Sequence, residues 1–149
     1  MKRVISLLAA VMLIVLLAAC GGGTSAPRTL RIGVALYQQD DTFISSVARE
    51  LQRAAQEAEQ SGDVKINLYI TDGKGSQTVQ NEQIDRFLDR KYDVICVNIV
   101  DRTAAAVIID KAETANIPVI FFNRQPVEED LRRWENAYYV GLPAGDAGM

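Results

Sequence analysis

The chain has 149 residues, of which 48% are hydrophobic, with 16 basic and 19 acidic side chains, a net charge of −3 and no histidine. This mild acidity argues against a nucleic-acid partner, which would select a basic surface. The absence of histidine excludes Ser–His and Cys–His catalytic pairs and every zinc site that contains histidine.

The amino terminus has the features of a secretory signal peptide. Lys2 and Arg3 precede an apolar run over residues 4–19, slightly shorter than the roughly 20 residues of a membrane-spanning helix. The run ends in LAAC at positions 17–20, which resembles the lipobox of bacterial lipoproteins. We expect residues 1–19 to be removed and Cys20 to carry a lipid. The alternative is an uncleaved helix with an incidental cysteine.

The predicted lipid anchor bears on the segment that follows it and on the second cysteine of the chain. Residues 20–28 contain the sequence GGGTSAP, which has no apolar periodicity and predicts a lipid-anchored, flexible linker. Loss of Lys2 and Arg3 would bring the net charge to −5. If Cys20 carries lipid, Cys96 has no partner for an intramolecular disulfide. Because Cys96 lies in the apolar run VICV, we interpret it as a buried, unreactive thiol rather than a redox group.

From residue 29 onward, strand-like and helix-like segments alternate. Short apolar or alternating runs predict strands at 30–36, 64–70, 93–100, 117–122 and 137–140. Apolar residues at helical spacing predict helices at 43–59, 76–90, 102–115 and 127–134. The alternation predicts an α/β fold, an open parallel sheet with helices on both faces and a ligand cleft at the carboxyl ends of its strands. Residues 145–149 look like the start of another helix, so we expect a fragment of a longer protein.

The loop after the first predicted strand carries polar and aromatic side chains in place of a glycine-rich phosphate loop. It reads YQQDDTF over residues 37–43. The carboxylate of Asp41 can accept hydrogen bonds from neighbouring sugar hydroxyls, and the ring of Phe43 can pack on the apolar face of a pyranose. Alternatively, Asp40 or Asp41 only caps the helix that begins near Thr42, and Phe43 belongs to the core.

Two further loops lie at the same predicted edge. After the fourth strand, Asn123 offers a donor and an acceptor and Arg124 offers a fork of donors, although an ordinary solvated turn is the alternative. After the third strand, Asp101 lies at the same edge, but it is at least as well placed to cap the next helix as to contact a ligand. GKGS at 73–76 lacks the phosphate-loop pattern, and we interpret Ser76 as a helix cap.

Six segments resemble the amino-terminal domain of the periplasmic galactose/glucose-binding proteins, which are substrate-binding components of ABC sugar importers. They are IGV at 32–34 with Tyr37, DDTF at 40–43, QNEQID at 80–85, VNIVD at 97–101, VIFFNR at 119–124 and AYYVG at 137–141. The resemblance runs from about Leu30 to Gly141. It is most specific to the galactose/glucose branch at 40–43 and 121–139.

The resemblance implies that residues 29–149 are the incomplete amino-terminal lobe of a type 1 periplasmic binding protein with a Rossmann-like sheet. A hexose such as galactose or glucose would bind between two lobes, without catalysis. Asp41 would accept hydrogen bonds from its hydroxyls, Phe43 would stack on one face, and Asn123 and Arg124 would bind ring hydroxyls. No cofactor or metal is expected in this fragment, because the calcium site of the family belongs to the second lobe.

Three positions, Arg124 itself and two neighbours of these residues, depart from the family pattern. Arg124 stands where the family usually has Lys, Thr42 replaces the usual Asn, and Gln125 stands where Glu is frequent. Thr42 and Gln125 lie beside the expected ligand positions, so the exact hexose stays open.

The resemblance also implies partners and a location. The partners would be the membrane subunits of an ABC permease, and the protein would be exported and lipid-anchored to the outer face of the cell membrane, or periplasmic. A sensory receptor for a sugar or an autoinducer is the first alternative, and a secreted α/β enzyme is a weaker one. A transcription repressor of related fold would need a DNA-binding headpiece where the signal and Cys20 lie.

Overall fold

The computed structural model describes residues 28–62 and 64–141. The predicted signal peptide, the lipid site at Cys20, nearly all of the linker and the predicted helix start at 145–149 lie outside the described residues. Among the residues described, no helix combines the length and the apolar character that crossing a bilayer would require.

The described residues form one parallel sheet of five strands in the order β2-β1-β3-β4-β5. The strands are β1 (Arg28–Leu36), β2 (Val64–Asp72), β3 (Val94–Val97), β4 (Val119–Phe122) and β5 (Ala137–Val140). The helices are α1 (Thr42–Gln60), α2 (Gln77–Asp89), α3 (Ala105–Ala115) and α4 (Glu128–Leu131), and a 3₁₀ turn (Arg102–Ala104) precedes α3. The predicted open α/β sheet is confirmed.

The helices cover the two faces of the sheet unequally. On one face, Ile84 and Phe87 of α2 and Ile108 and Ile109 of α3 pack against buried strand residues such as Phe121. On the other face, Ile44 and Ala48 of α1 pack against Val34 and Leu36 of β1. Successive strand residues point to opposite faces, so a nearly continuous apolar run in β1 serves both cores.

Three predicted elements differ most from their observed bounds, and the strand predicted at 117–122 also begins later, at Val119. The strand predicted at 93–100 ends at Val97, because Asn98 and Ile99 are buried in a loop beneath α2 rather than in the sheet. The helix predicted at 102–115 opens with the 3₁₀ turn, and the helix predicted at 127–134 spans only Glu128–Leu131. The predicted cap at Ser76 is confirmed, since its hydroxyl accepts a hydrogen bond from the Val79 amide at 3.4 Å.

Candidate functional site

The carboxyl ends of the strands meet at one edge of the sheet, where an open cleft of about 870 Å³ lies. The strand order reverses between β1 and β3 at this edge, which is where parallel α/β sheets bind ligands. The volume falls within the range of about 300–1,000 Å³ that ligand pockets occupy. The cleft is lined by α1 and by the loops after β3, β4 and β5: Phe43, Val47, Val100, Asp101, Arg102, Phe122, Asn123, Arg124, Gln125, Tyr139, Val140 and Gly141.

Phe43 stands at the mouth of the cleft, in the first turn of α1. Its side chain is 61% exposed, so the alternative that placed it in the core is wrong. Other apolar side chains line the cleft as well: Val47 and Phe122 are half-buried, and Val140 is exposed. The cleft therefore combines apolar side chains and an accessible aromatic ring with a few polar groups, the composition expected of a small-molecule site.

Asp41 caps α1, as the alternative interpretation of this residue proposed. Its Oδ1 accepts a hydrogen bond from the Ile44 amide at 2.9 Å, and its Oδ2 accepts one from the Tyr37 hydroxyl at 2.5 Å. These two hydrogen bonds do not use all the acceptor positions of the carboxylate, because its two oxygens offer about four. Asp41 is not among the residues that line the cleft; its carboxylate contacts Tyr37, whose ring in turn packs against Arg124 of the lining.

The hydrogen bonds to Asp41 hold it in its ionised form. The Tyr37 hydroxyl and then the Ile44 amide lower the pKa of the Asp41 carboxyl below its ordinary value, because both donate to the charged form. The same hydrogen bond raises the pKa of Tyr37. At neutral pH this part of the edge therefore contains a carboxylate and a neutral phenol.

Arg124 connects this pair to the other loops. Its guanidinium lies 3.9 Å from the centroid of the Tyr37 ring, and its Nη1 donates to the Val100 carbonyl at 2.9 Å. The chain of contacts from Asp41 through Tyr37 and Arg124 to Val100 ties together the loops after β1, β4 and β3. The sequence did not single out Tyr37 for a role. A tyrosine directly after a strand, four residues before an acidic helix cap, was the available signal.

Asn123 lines the cleft from a turn with a left-handed backbone, at φ 63°. Asparagine tolerates this conformation better than most residues. Its backbone amide donates to the Val140 carbonyl at 3.1 Å, and its backbone carbonyl accepts from the Tyr139 hydroxyl at 3.1 Å. Asn123 itself is exposed, whereas Arg124 and Gln125 of the same loop are half-buried and line the cleft with it. The alternative of an ordinary solvated turn therefore does not describe the whole loop.

Asp101 and Arg102 line the cleft from the loop after β3. The Oδ1 of Asp101 accepts from the Thr103 hydroxyl at 2.7 Å and from the Thr103 amide at 2.9 Å, so its predicted capping role is confirmed. These bonds, the one from the hydroxyl first, lower the pKa of Asp101. The Nε of Arg102 donates to the Gln125 carbonyl, which joins this loop to the loop after β4.

Cys96 agrees with its interpretation as an unreactive thiol. It packs beside the core under α1, and burial raises its pKa to about 11, so almost none of it is thiolate at neutral pH.

Within residues 28–62 and 64–141, no three acidic or cysteine side chains are grouped so that they could hold a metal ion. The described edge offers donors, acceptors and an aromatic ring, which suits recognition of a polyhydroxylated ligand.

Comparisons with known proteins agree with the resemblance in the sequence. Residues 32–149 match the family model described as a periplasmic binding protein domain. The D-galactose/methyl-galactoside binding periplasmic protein MglB of Haemophilus influenzae is 39% identical over 119 residues, which cover 80% of this chain and 34% of that protein. The ABC transporter periplasmic-binding protein YphF of Escherichia coli is 25% identical over 119 residues, 80% of this chain and 35% of that protein.

Solved structures share the fold. A Mycobacterium smegmatis protein in complex with β-D-fucofuranose has a TM-score of 0.63 at 25% identity, covering 75% of this chain and 34% of that one. A galactofuranose binding protein has a TM-score of 0.58 at 26% identity, covering 72% of this chain and 34% of that one. The chain spans about a third of the length of the curated relatives it matches. With a family match over 118 of its 149 residues and a 39% identical relative, the chain belongs to the periplasmic binding protein domain family.

Proposed function

We propose that the chain is the amino-terminal part of the sugar-binding component of an ABC importer, and that a hexose binds at the carboxyl edge of its sheet. The observation that carries the proposal is the grouping of Phe43, Asn123 and Arg124 around one cleft, with Arg124 linked through Tyr37 to the ionised carboxylate of Asp41. The names of the relatives support it, since one binds D-galactose and methyl-galactoside and two structural neighbours are described with furanose sugars.

The chemistry of the edge suits a neutral sugar. The exposed ring of Phe43 can cover the C–H face of a pyranose, which removes apolar surface of both partners from water. Asn123 can donate and accept, Arg124 can donate, and the carboxylate of Asp41 keeps acceptor positions beyond its hydrogen bonds to Tyr37 and Ile44. Selection among sugars follows because a misplaced hydroxyl leaves a buried polar group unpaired, at about 1–3 kcal/mol.

No covalent step belongs to this function. A second lobe, in the part of the relatives that this chain does not span, would close over the sugar by a hinge motion, and the closed form would dock on permease subunits. The 39% identical relative is a binding protein, which supports binding rather than an enzymatic role.

The proposal includes a lipid anchor at Cys20 after removal of residues 1–19. An anchor would raise the local concentration of the receptor at the permease, and residues 21–28 would give it reach. Mass spectrometry of the membrane fraction from a bacterial host should find an amino-terminal Cys20 bearing a diacylglyceryl group. Cys20→Ser is the control, and a mature protein that still begins at Met1 would refute the anchor.

Calorimetry on the complete gene product tests the sugar assignment. We expect saturable heat with D-galactose or D-glucose and none with D-ribose. Phe43→Ala should weaken the affinity at least roughly ten-fold, since it removes one face of the sugar site. Tyr69→Ala is the matched control, because Tyr69 is an exposed aromatic on β2, outside the cleft. Heat with ribose alone, or equal losses in the two variants, would contradict the assignment.

A further inference from the structure

Gln80 is a fully buried amide on α2, beneath the carboxyl edge of the sheet. Its side chain makes three hydrogen bonds, all to backbone groups. Its Nε2 donates to the carbonyls of Ala35 at 3.2 Å and Asn98 at 2.9 Å, and its Oε1 accepts from the Val100 amide at 3.0 Å. Ala35 lies in β1 and the other two follow β3, so this one side chain joins the strands between which the strand order reverses.

The position is one where the helical pattern alone would place an apolar residue. Gln80 is on the buried side of α2 with Ile84 and Phe87, and burying an amide without partners is costly. The Asn98 amide still donates to the Ala35 carbonyl at 2.9 Å, and beyond it the chain leaves the sheet. The Val100 amide therefore has no strand partner and needs an acceptor from elsewhere. The amide of Gln80 satisfies it and at the same time fixes the loop.

A neighbouring glutamine holds the next amide of the same loop. Gln77, one turn earlier on α2, accepts from the Asp101 amide through its Oε1 at 2.7 Å. Two successive backbone amides, those of Val100 and Asp101, are thus held by two side chains of one helix. The Val100 carbonyl in turn accepts from Arg124, whose guanidinium covers the ring of Tyr37.

We propose that Gln80 is a positioning residue for the sugar site. It fixes the loop at residues 98–101 against β1, and through Val100 it sets the place of Arg124 at the cleft. It is absent from the cleft lining and acts only through the backbone groups it binds. This inference rests on the proposed function, because its consequence is measured as sugar affinity.

Gln83 provides a matched control within the same helix. It is also a buried glutamine, 7% exposed, and its Nε2 donates to the Asp72 carbonyl at 2.7 Å. Asp72 ends β2 and does not line the cleft. Replacement of Gln83 removes a buried amide of the same kind and should destabilise the fold without moving the loop at 98–101.

The test compares Gln80→Met with Gln83→Met in the complete gene product, under conditions where both variants are folded. The measurements are D-galactose affinity by calorimetry and hydrogen exchange of the Val100 and Asp101 amides without sugar. We expect both variants to lose stability, but only Gln80→Met to accelerate exchange at Val100 and to weaken affinity, each by roughly ten-fold, as the loss of a buried hydrogen bond implies.

A second pair keeps the test valid if Gln80→Met fails to fold. Gln77 is only partly buried, so Gln77→Ala should fold, accelerate exchange at Asp101 and weaken affinity a few-fold, whereas Thr78→Ala on the exposed side of the same turn should do neither. Equal affinity losses in the Gln80 and Gln83 variants, or unchanged affinity in the Gln80 and Gln77 variants, would overturn the positioning role. A wild-type protein that binds none of the sugars would instead refute the proposed function, and the role of Gln80 with it.

Discussion

Two phenylalanines show how differently the interior and the carboxyl edge of this sheet use the same side chain. Phe121 in β4 is completely buried beneath α3, whereas Phe43 at the start of α1 is 61% exposed beside the cleft. The interior gains stability from its aromatic ring, while the edge leaves a large apolar surface accessible to a partner. An exposed aromatic in a cleft is informative for that reason, whereas a buried one reports only packing.

Replacing each of the two rings with alanine should show the largest difference between the interior and the edge. We expect Phe121→Ala to lower the free energy of unfolding by about 3–5 kcal/mol, because it opens a cavity in a close-packed core. Phe43→Ala should change it by less than about 0.5 kcal/mol, as is usual for exposed positions. Urea unfolding followed by circular dichroism measures both. Similar losses in the two variants would contradict the division between a packed interior and an accessible edge.

Gly33 tests how closely the interior is packed. A Cβ at this position of β1 would lie 2.7 Å from the nearest ring atoms of Phe87, closer than side chains approach one another. We expect Gly33→Ala to lower the free energy of unfolding by about 1–3 kcal/mol through overpacking. In the double variant with Phe87→Leu, part of that cost should disappear because the smaller side chain makes room. Fully additive losses in urea unfolding would exclude a steric cause.

Asp41 gives the smallest effect, one that belongs to the edge. Because its folded-state pKa is lowered, chiefly by the Tyr37 hydroxyl, its charged form stabilises the fold above the ordinary carboxyl pKa. This contribution should be lost as the pH falls through the lowered folded-state value. Asp41→Asn keeps a capping side chain but cannot titrate. Over roughly pH 2–6, where this linkage acts, the free energy of unfolding of the variant should therefore depend less on pH than that of the wild type.

Asp40→Asn is the control for that experiment, because Asp40 is the adjacent acidic residue and its side chain is exposed. Asp41→Ala, which also removes the hydrogen bond to the Ile44 amide, should be less stable than Asp41→Asn at neutral pH. If Asp41→Asn and wild type had parallel pH profiles, the bond between Tyr37 and Asp41 would have no energetic weight.

The sequence predicted the elements well where burial came from the regular pattern of a strand or a helix. All five strands and the order of the helices agree with the structure, and β5 has the predicted bounds. The third strand was extended too far because Asn98 and Ile99 are buried in a loop under Gln80, and burial in a loop has the same apolar signature as burial in a sheet. The helix at 127–134 was overextended because only Leu131 and Trp134 of its apolar residues pack against the core.

The sequence also predicted the cleft at the carboxyl edge of the sheet, but not the contacts that join its loops. Asn123 and Arg124 were placed at the cleft by the rule that carboxyl ends of parallel strands share an edge. The stacking of Arg124 on Tyr37 and the three bonds of Gln80 join residues from separate loops, so no local pattern contains them. For Gln80 a signal existed, namely a glutamine in the apolar stripe of α2 where the pattern calls for an apolar residue.

The most direct test of the proposed sugar site is to locate sugar binding on the protein in solution. Amide resonances of the complete gene product, followed during a titration with D-galactose, should shift at Phe43, Asn123 and Arg124. A second groove, between α2 and α3, is lined by Asp85 and Lys111 among others and serves as the internal control, since we expect no shifts there. Shifts confined to that groove, or none at the carboxyl edge at saturating sugar, would contradict the assignment of the cleft as the sugar site.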